Sequence, residues 1–327
     1  MTDHNLEIRA DAGAQKRTAE PECEVRARVG LRILWASVGR RGWRGSRDSA
    51  ILRTVREALY QPFPMAGRAR AQIWRYAPEF RRPRHFHAEP ELNVVAPGSG
   101  TFGVGETTLL ASAGDLLWWL PGQDHELLDA SPDFDLFVVG LTPELSERIL
   151  GSTSGSVYGG PARVRLPEEA LARFCELCAT PLGGGDTVAV ERHVAEFWSG
   201  AHALRATLPD KHALTRRALA SFLRRTDVGR CDVARFARTD PSEVSRHFRR
   251  NVGLTLTVYR TRIRLLKFIE RAEKDADNLL SASLEAGFGS YSQCHRAFQR
   301  TFGCAPRVFF RQGVRHPMRE VFAPPAV

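Results

Sequence analysis

The sequence predicts a multidomain chain: a β-barrel of jelly-roll type on the N-terminal side and an all-α C-terminal domain with two helix-turn-helix units. Three observations carry this. Between Ala71 and Leu141 short β-rich runs recur between turn residues. Beyond residue 212 the apolar period becomes helical. Within that helical third, Arg246-x-Phe248-x-Arg250-x-x-Gly253 returns as Arg296-x-Phe298-x-Arg300-x-x-Gly303, 50 residues later, so the domain holds an internal repeat.

Composition narrows the class. With 327 residues, 43% hydrophobic and 26% charged, the chain is globular and long enough for two domains. It has no run of 18 apolar residues, which argues against a membrane span. The net charge is +10, but residues 211–316 hold 22 Lys+Arg against 9 Asp+Glu. The basic surplus therefore belongs to the last third, the pattern of a near-neutral body joined to a module for a polyanion.

In chain order, residues 1–65 lack an apolar period and include the run Arg40–Arg47, so they read as a flexible extension without a secretory apolar segment. A cytoplasmic location follows as an expectation. The β domain is expected over 66–150, from AQIWRY through FDLFVVGL. Residues 151–210 read as a linker and connector or dimerisation helices, with a Gly/Ser-rich break at Gly151–Pro161. The first helix contains Cys175-x-x-Cys178, which lacks a second pair to complete a zinc site and reads as packing thiols. The second carries Val190, Val194, Phe197, Trp198, Ala201 and Leu204 in one stripe, packing on the β domain or forming a homodimer seam. Residues 211–312 form the paired helical units, and 313–327 a flexible tail. The six cysteines are scattered, as free thiols would be.

Each helical unit can be read from its caps. Asp240-Pro241-Ser242-Glu243 opens a helix: Asp accepts a free N–H at the N-cap, Pro suits the first position, and Glu suits the dipole. Val244 and Phe248 then face inward, leaving Ser242, Glu243, Ser245, Arg246 and Arg249 toward duplex DNA. In the second unit Gly287-Phe288-Gly289-Ser290 supplies turn and cap, and Cys294 and Phe298 face inward. Tyr291, Ser292, Gln293, His295, Arg296 and Arg300 join Ser290 as DNA-contact candidates. Arg246 and Arg296 suit base or groove-edge contact, Arg249 and Arg300 phosphate. Leu256–Ala272 reads as a rigid connecting helix; two such tips need about 34 Å between them to enter successive major grooves.

These stretches, VARFARTDPSEVSRHFRRNVGLT, YRTRIRLLKF and EAGFGSYSQCHRAFQRTFGCAPRVFFR, closely resemble the DNA-binding domain of AraC/XylS transcription regulators. Two departures stand out: Arg238 where the first turn commonly has glycine, and Ala282-Ser283 where the second unit commonly has Ile-Ala.

The β domain carries its own motif. His85-Phe86-His87-x-x-x-Glu91 followed by Pro121-Gly122-x-x-His125 resembles the two cupin motifs, although the glycine expected upstream of His85 is missing. Alternation puts His85 and His87 on one strand face. Three imidazoles and a carboxylate are the set that metal cupins use for iron, manganese, nickel or zinc. Regulators of the resembled family often keep such histidines without metal, and that reading is preferred: no cofactor is required, and His85, His87, Glu91 and His125 bind a small-molecule effector. A divalent metal on the same four residues is the alternative. Trp118 and Trp119 also alternate, one toward the barrel and one outward, as an interdomain contact, a dimer contact or plain core.

The resemblance implies a non-enzymatic, sequence-specific DNA-binding regulator, an activator working as a homodimer, with a cupin-like sensor, a small-molecule effector and RNA polymerase as a candidate partner. Its rivals are a metal-dependent cupin enzyme, a dioxygenase or isomerase with a nucleic-acid-binding appendage, and a non-specific nucleoid or RNA-binding protein.

Overall fold

Ten strands are present among the described residues: β1 (Leu59–Tyr60), β2 (Ala71–Tyr76), β3 (His85–Phe86), β4 (Glu91–Val95), β5 (Ser99–Val104), β6 (Thr107–Ser112), β7 (Asp115–Trp119), β8 (His125–Ala130), β9 (Leu136–Leu141) and β10 (Arg163–Arg165). The structure is a computed structural model and describes residues 59–63, 65, 69–76, 83–150, 163–179, 188, 191–197, 200, 213–226, 228–275 and 277–312. The strands form two five-stranded sheets, in the orders β1-β3-β8-β5-β6 and β10-β7-β4-β9-β2. The expected barrel thus takes the double-sheet form of a jelly roll, and no strand pairing among the described residues closes one sheet onto the other.

Between the sheets Trp74, Val95, Leu117, Trp119 and Val138 meet Phe102, Val104 and Ala111. The outer face of the second sheet, with Leu92, Val94, Leu116, Trp118 and Val139, is covered by Leu145 of α1 (Pro143–Leu150), Phe174 of α2 (Glu168–Ala179) and Val194 of the helical residues 191–197. Covered on both faces, β4, β7 and β9 are buried along their whole length. That double burial is why they read as apolar runs. Trp119 lies inside and Trp118 on the opposite face, as the alternation predicts, yet both are buried. Of the predicted helical stripe, Val194 and Phe197 pack on the β domain, with the Phe197 and Phe174 rings 4.0 Å apart. Val190, Trp198, Ala201 and Leu204 lie outside the described residues, as do 1–58, 151–162, 201–212 and 313–327.

Two boundaries need correction. The β domain starts before residue 66: β1 pairs with β3, the Gln61 amide donates to the Phe86 carbonyl (3.0 Å), and Phe63 is in the inter-sheet core. It also continues past 150, since β10 pairs with β7. Neither segment alternates over enough residues to register as a strand, because β1 spans two residues and β10 three.

The helical domain follows as α3 (Ala213–Arg224), α4 (Arg230–Ala237), α5 (Pro241–Val252), α6 (Leu256–Lys274), α7 (Leu279–Glu285), α8 (Tyr291–Phe302) and α9 (Pro306–Gln312). Its caps are those expected. Asp240 accepts from the Ser242 amide at 2.7 Å and Ser290 from the Gln293 amide at 3.2 Å. The 50-residue repeat is a structural one: Val244 and Phe248 in α5, and Cys294 and Phe298 in α8, are buried at matching positions. Phe248 packs edge-on to Tyr259 (5.3 Å) in the first unit, and Phe298 edge-on to Phe268 (5.7 Å) in the second. Ala282 and Ser283, the family departure, are both buried, Ala282 within that second core. Burial pushes the Cys294 thiol up to about 12, making it a core residue rather than a reactive one.

Arg238, in the first turn, is the one non-glycine residue with positive φ among the described residues (54°). A left-handed side chain costs roughly 1–2 kcal/mol, while glycine loses about 0.4–1 kcal/mol more entropy on folding. Arg238→Gly is therefore expected to stabilise the protein by about 0.5 kcal/mol, read as a raised denaturation midpoint in urea; a lowered midpoint would mean the arginine makes a compensating contact.

Candidate functional site

All four residues singled out in the β domain come together. His85 on β3 lies directly opposite His125 on β8 in one sheet, while Glu91 on β4 belongs to the other sheet. His87 follows β3, and its carbonyl accepts from the Gly122 amide (2.8 Å) of the predicted Pro-Gly turn. The four residues are buried, and their ligand-type atoms all lie within 4.8 Å of one another.

Backbone carbonyls orient each imidazole through Nδ1: Pro83 for His85 (2.8 Å), Glu89 for His87 (2.8 Å) and Gln123 for His125 (3.2 Å). The Nε2 atoms of His87 and His125 approach one oxygen of Glu91, Oε2, at 2.8 and 3.1 Å. Its other oxygen, Oε1, accepts from Asn93 Nδ2 at 2.8 Å. Burial pushes the Glu91 carboxyl up, but His125 and His87 outweigh it and hold the group well below the usual carboxylate range. Trp119 stacks on the His125 ring at 5.4 Å and Phe63 meets His87 edge-on at 4.6 Å.

Residues between and beside these histidines point the other way, to the helical domain. Phe86, between His85 and His87, lies under the Arg262 guanidinium of α6 (4.7 Å) and near Phe302 of α8 (6.3 Å). Asp124, next to His125, binds both Arg262 and Arg84. Burial pushes the Asp124 carboxyl up, and the Arg262 and Arg84 guanidiniums reverse this, holding it below its ordinary value. Gln123 donates to the Val252 carbonyl at the end of α5 (2.8 Å). The β5–β6 turn completes the contact: the Glu106 amide donates to the Gly253 carbonyl (2.7 Å), and its carboxylate binds Arg249 (2.9 Å to Nε). Here Gly105 and Gly253, both with positive φ, bring the two backbones so close that a Cβ on either would collide with the other segment. Tyr60 of β1 adds an edge-on contact to Phe302 at 5.6 Å.

The DNA-contact candidates are found in different surroundings. Ser242, Arg246, Arg249, Ser290, Ser292, Gln293, Arg296 and Arg300 are exposed, and Glu243, Ser245, Tyr291 and His295 half-buried. The Ser242 hydroxyl donates to Asp240 and that of Ser245 to the Pro241 carbonyl, so both serve their helix. Arg249 is held by Glu106. Gln293, Arg296 and Arg300 line a cleft of about 710 Å³ between the β and helical domains, whose wall carries six arginines and two carboxylates, Glu106 and Asp124. Sequence reasoning missed Glu106, Gln123, Asp124 and Arg262; the partners of Asp124 and Glu106 lie 138 and 143 residues away, and only the adjacency of Asp124 to His125 was a local signal.

A buried cluster of three histidines and a glutamate in a double-sheet domain, joined to two helix-turn-helix units, has the organisation of a sensor domain coupled to a DNA-binding domain. Family models agree: residues 70–197 match the AraC-like ligand binding domain and residues 233–312 a helix-turn-helix domain. The chain belongs to the AraC family of transcription regulators. No curated protein matches it by sequence. Among solved structures it is similar to ToxT from Vibrio cholerae with bound unsaturated fatty acid (12% identity, 75% of this chain and 96% of that one, TM-score 0.38). It is also similar to the AraC-like transcriptional activator CuxR (13%, 67% and 78%, TM-score 0.30) and to a cupin 2 conserved barrel domain protein from Salinispora arenicola (22%, 27% and 76%, TM-score 0.22). Among the described residues no helix is long and apolar enough to cross a membrane.

Asp124→Ala would leave the Arg262 side chain, 13% exposed, without its carboxylate. Stranding a buried charge costs about 3–5 kcal/mol, and removing both charges costs less. The expected result is a lower thermal midpoint for Asp124→Ala, with partial recovery in Asp124→Ala/Arg262→Met; no recovery would show that Asp124 acts independently of Arg262.

Proposed function

We propose that the chain is a sequence-reading regulator whose sensor domain, in this arrangement, withholds the DNA-binding units. The observation that carries this is the sensor's approach to the reading surface: Arg249 is ion-paired with Glu106, and Arg296 and Arg300 line the cleft beside the sensor. A phosphate backbone entering there would meet the Glu106 carboxylate. An effector that binds the released arrangement better shifts the population toward it, by its differential affinity and no more. In this reading the protein acts in the cytoplasm as a homodimeric activator, engages RNA polymerase from its operator, and uses His85, His87, Glu91 and His125 for sensing rather than turnover.

Base-edge and phosphate contacts make different predictions. Arg246→Ala and Arg296→Ala should each cost about 1–3 kcal/mol of operator binding and relax the preferred sequence, whereas Arg300→Ala should weaken all duplexes alike and lower the salt slope by about 1. Selection from random duplexes and binding curves at several salt concentrations check this. Equal binding to every duplex by the parent protein would instead favour a non-specific DNA-binding role.

Glu106→Gln removes the competing carboxylate from Arg249. Because the pair is about half exposed on each side, its worth is about 0–1 kcal/mol, so DNA affinity should rise by up to about fivefold. An unchanged or lower affinity at matched salt would contradict the withheld state.

A further inference from the structure

The second helix of each helix-turn-helix unit repeats the other in more than sequence. Both α5 and α8 are 12 residues long. Over Pro241–Arg250 and Tyr291–Arg300 they bury the same positions, except that Glu243 is half-buried where Gln293 is exposed. Opposite the buried Phe248 and Phe298, on the outward side, stand Glu243, Arg246 and Arg250 in α5 and Gln293, Arg296 and Arg300 in α8. Each helix thus presents two arginines at equal spacing, and Glu243 against Gln293 is what makes the two sets differ. These side chains have one shape and opposite chemistry: a carboxylate only accepts hydrogen bonds, while a carboxamide also has two N–H groups to donate.

Each is held by the turn before its helix, which decides what is left for a base. Oε2 of Glu243 accepts from the Thr239 hydroxyl at 2.5 Å, and Oε1 lies 3.9 Å from His247 Nε2, beyond hydrogen-bond range. In the second unit the Gly289 amide donates to Gln293 Oε1 at 2.9 Å, so the carbonyl is the anchored end of the side chain and the Nε2 amino group the other. From one helical position, Glu243 offers lone pairs and Gln293 offers protons.

In the major groove these ask for different bases. Cytosine shows its N4 amino donor with no acceptor beside it, whereas adenine's amino group stands beside N7, whose lone pair repels a carboxylate. Guanine shows two acceptors, N7 and O6, which suit an amino group with two protons. The paired contact of glutamine with adenine needs the carbonyl turned to the base as well, and that of Gln293 is turned to Gly289. We infer that Glu243 selects cytosine in the groove read by α5 and that Gln293 selects guanine in the groove read by α8, so one chain reads two unlike half-sites. This rests on the reading of the chain as a sequence-reading regulator. With the two helices in successive major grooves, the selected positions lie about 10 base pairs apart. The Glu243 carboxylate also repels phosphates, a cost that falls on all sequences alike.

The test is selection from random duplexes with the full chain and with Glu243→Gln and Gln293→Glu, which keep side-chain size and leave an oxygen for Thr239 or Gly289. A withheld fraction lowers the affinity for every duplex alike, so the ranking of sequences survives it. The parent should enrich cytosine at one position and guanine at another, each by at least about fivefold over the next base. Glu243→Gln should abolish the cytosine preference, leave the guanine preference, and tighten binding to unrelated duplexes at low salt. Gln293→Glu should replace guanine by cytosine at its position. An unchanged circular dichroism spectrum shows that a variant folds; Glu243→Ala and Gln293→Ala, which should lose a preference without gaining another, stand in for one that does not. Folded variants that keep the parent's preferences, or that relax other bases, overturn the inference while sequence reading stands. A parent without any preference overturns that reading and the inference together.

Discussion

Arg262 is the residue on which the arrangement depends. Its guanidinium, on the helix joining the two DNA-binding units, lies over Phe86 and binds Asp124 and the Gly122 carbonyl. It therefore contacts both strand segments that carry the histidines. A planar, permanently charged group with five donors can stack and bind a carboxylate at once, which an ammonium cannot reproduce. The segments themselves add the second constraint: strand alternation sends His85 and His87 to one face and Phe86 to the other, so the histidine cluster and the contacts to the helical domain are chain neighbours.

Coupling between a pocket and a distant surface commonly has to cross several packed layers. Here only one backbone separates the histidines from the helical domain: Phe86 and Asp124 contact α6, Gln123 the end of α5, and Phe86 lies near Phe302 of α8. Two glycines, Gly105 and Gly253, make the contact close enough that the backbones themselves hydrogen-bond.

Local chemistry was legible in the sequence; distant pairing was not. The caps at Asp240 and Ser290, the buried Phe248 and Phe298, and the shared face of His85 and His87 follow from spacing alone, because a helix or strand fixes which residues share a face; that Glu91 and His125, from other strands, join them was implied only by the resemblance to the cupin motifs. The basic surplus of the last third points to a polyanion without saying which arginines meet it, and Arg249 and Arg262 are paired with acids of the β domain. Nothing local distinguishes them from Arg246 or Arg296. The early start of the β domain was hidden for a related reason: Tyr60 and Phe63 are held by partners far along the chain, in β3, α8 and the inter-sheet core, rather than by a pattern of their own.

The most direct measurement is hydrogen exchange at the Glu106 amide, which donates across the domain contact to Gly253, in the full chain with and without saturating operator DNA. If the sensor withholds the DNA-binding units, that amide is protected in the unbound protein and exchanges faster once DNA is bound. Protection that is equal in the two states would mean that DNA binds without parting the domains, contradicting the account.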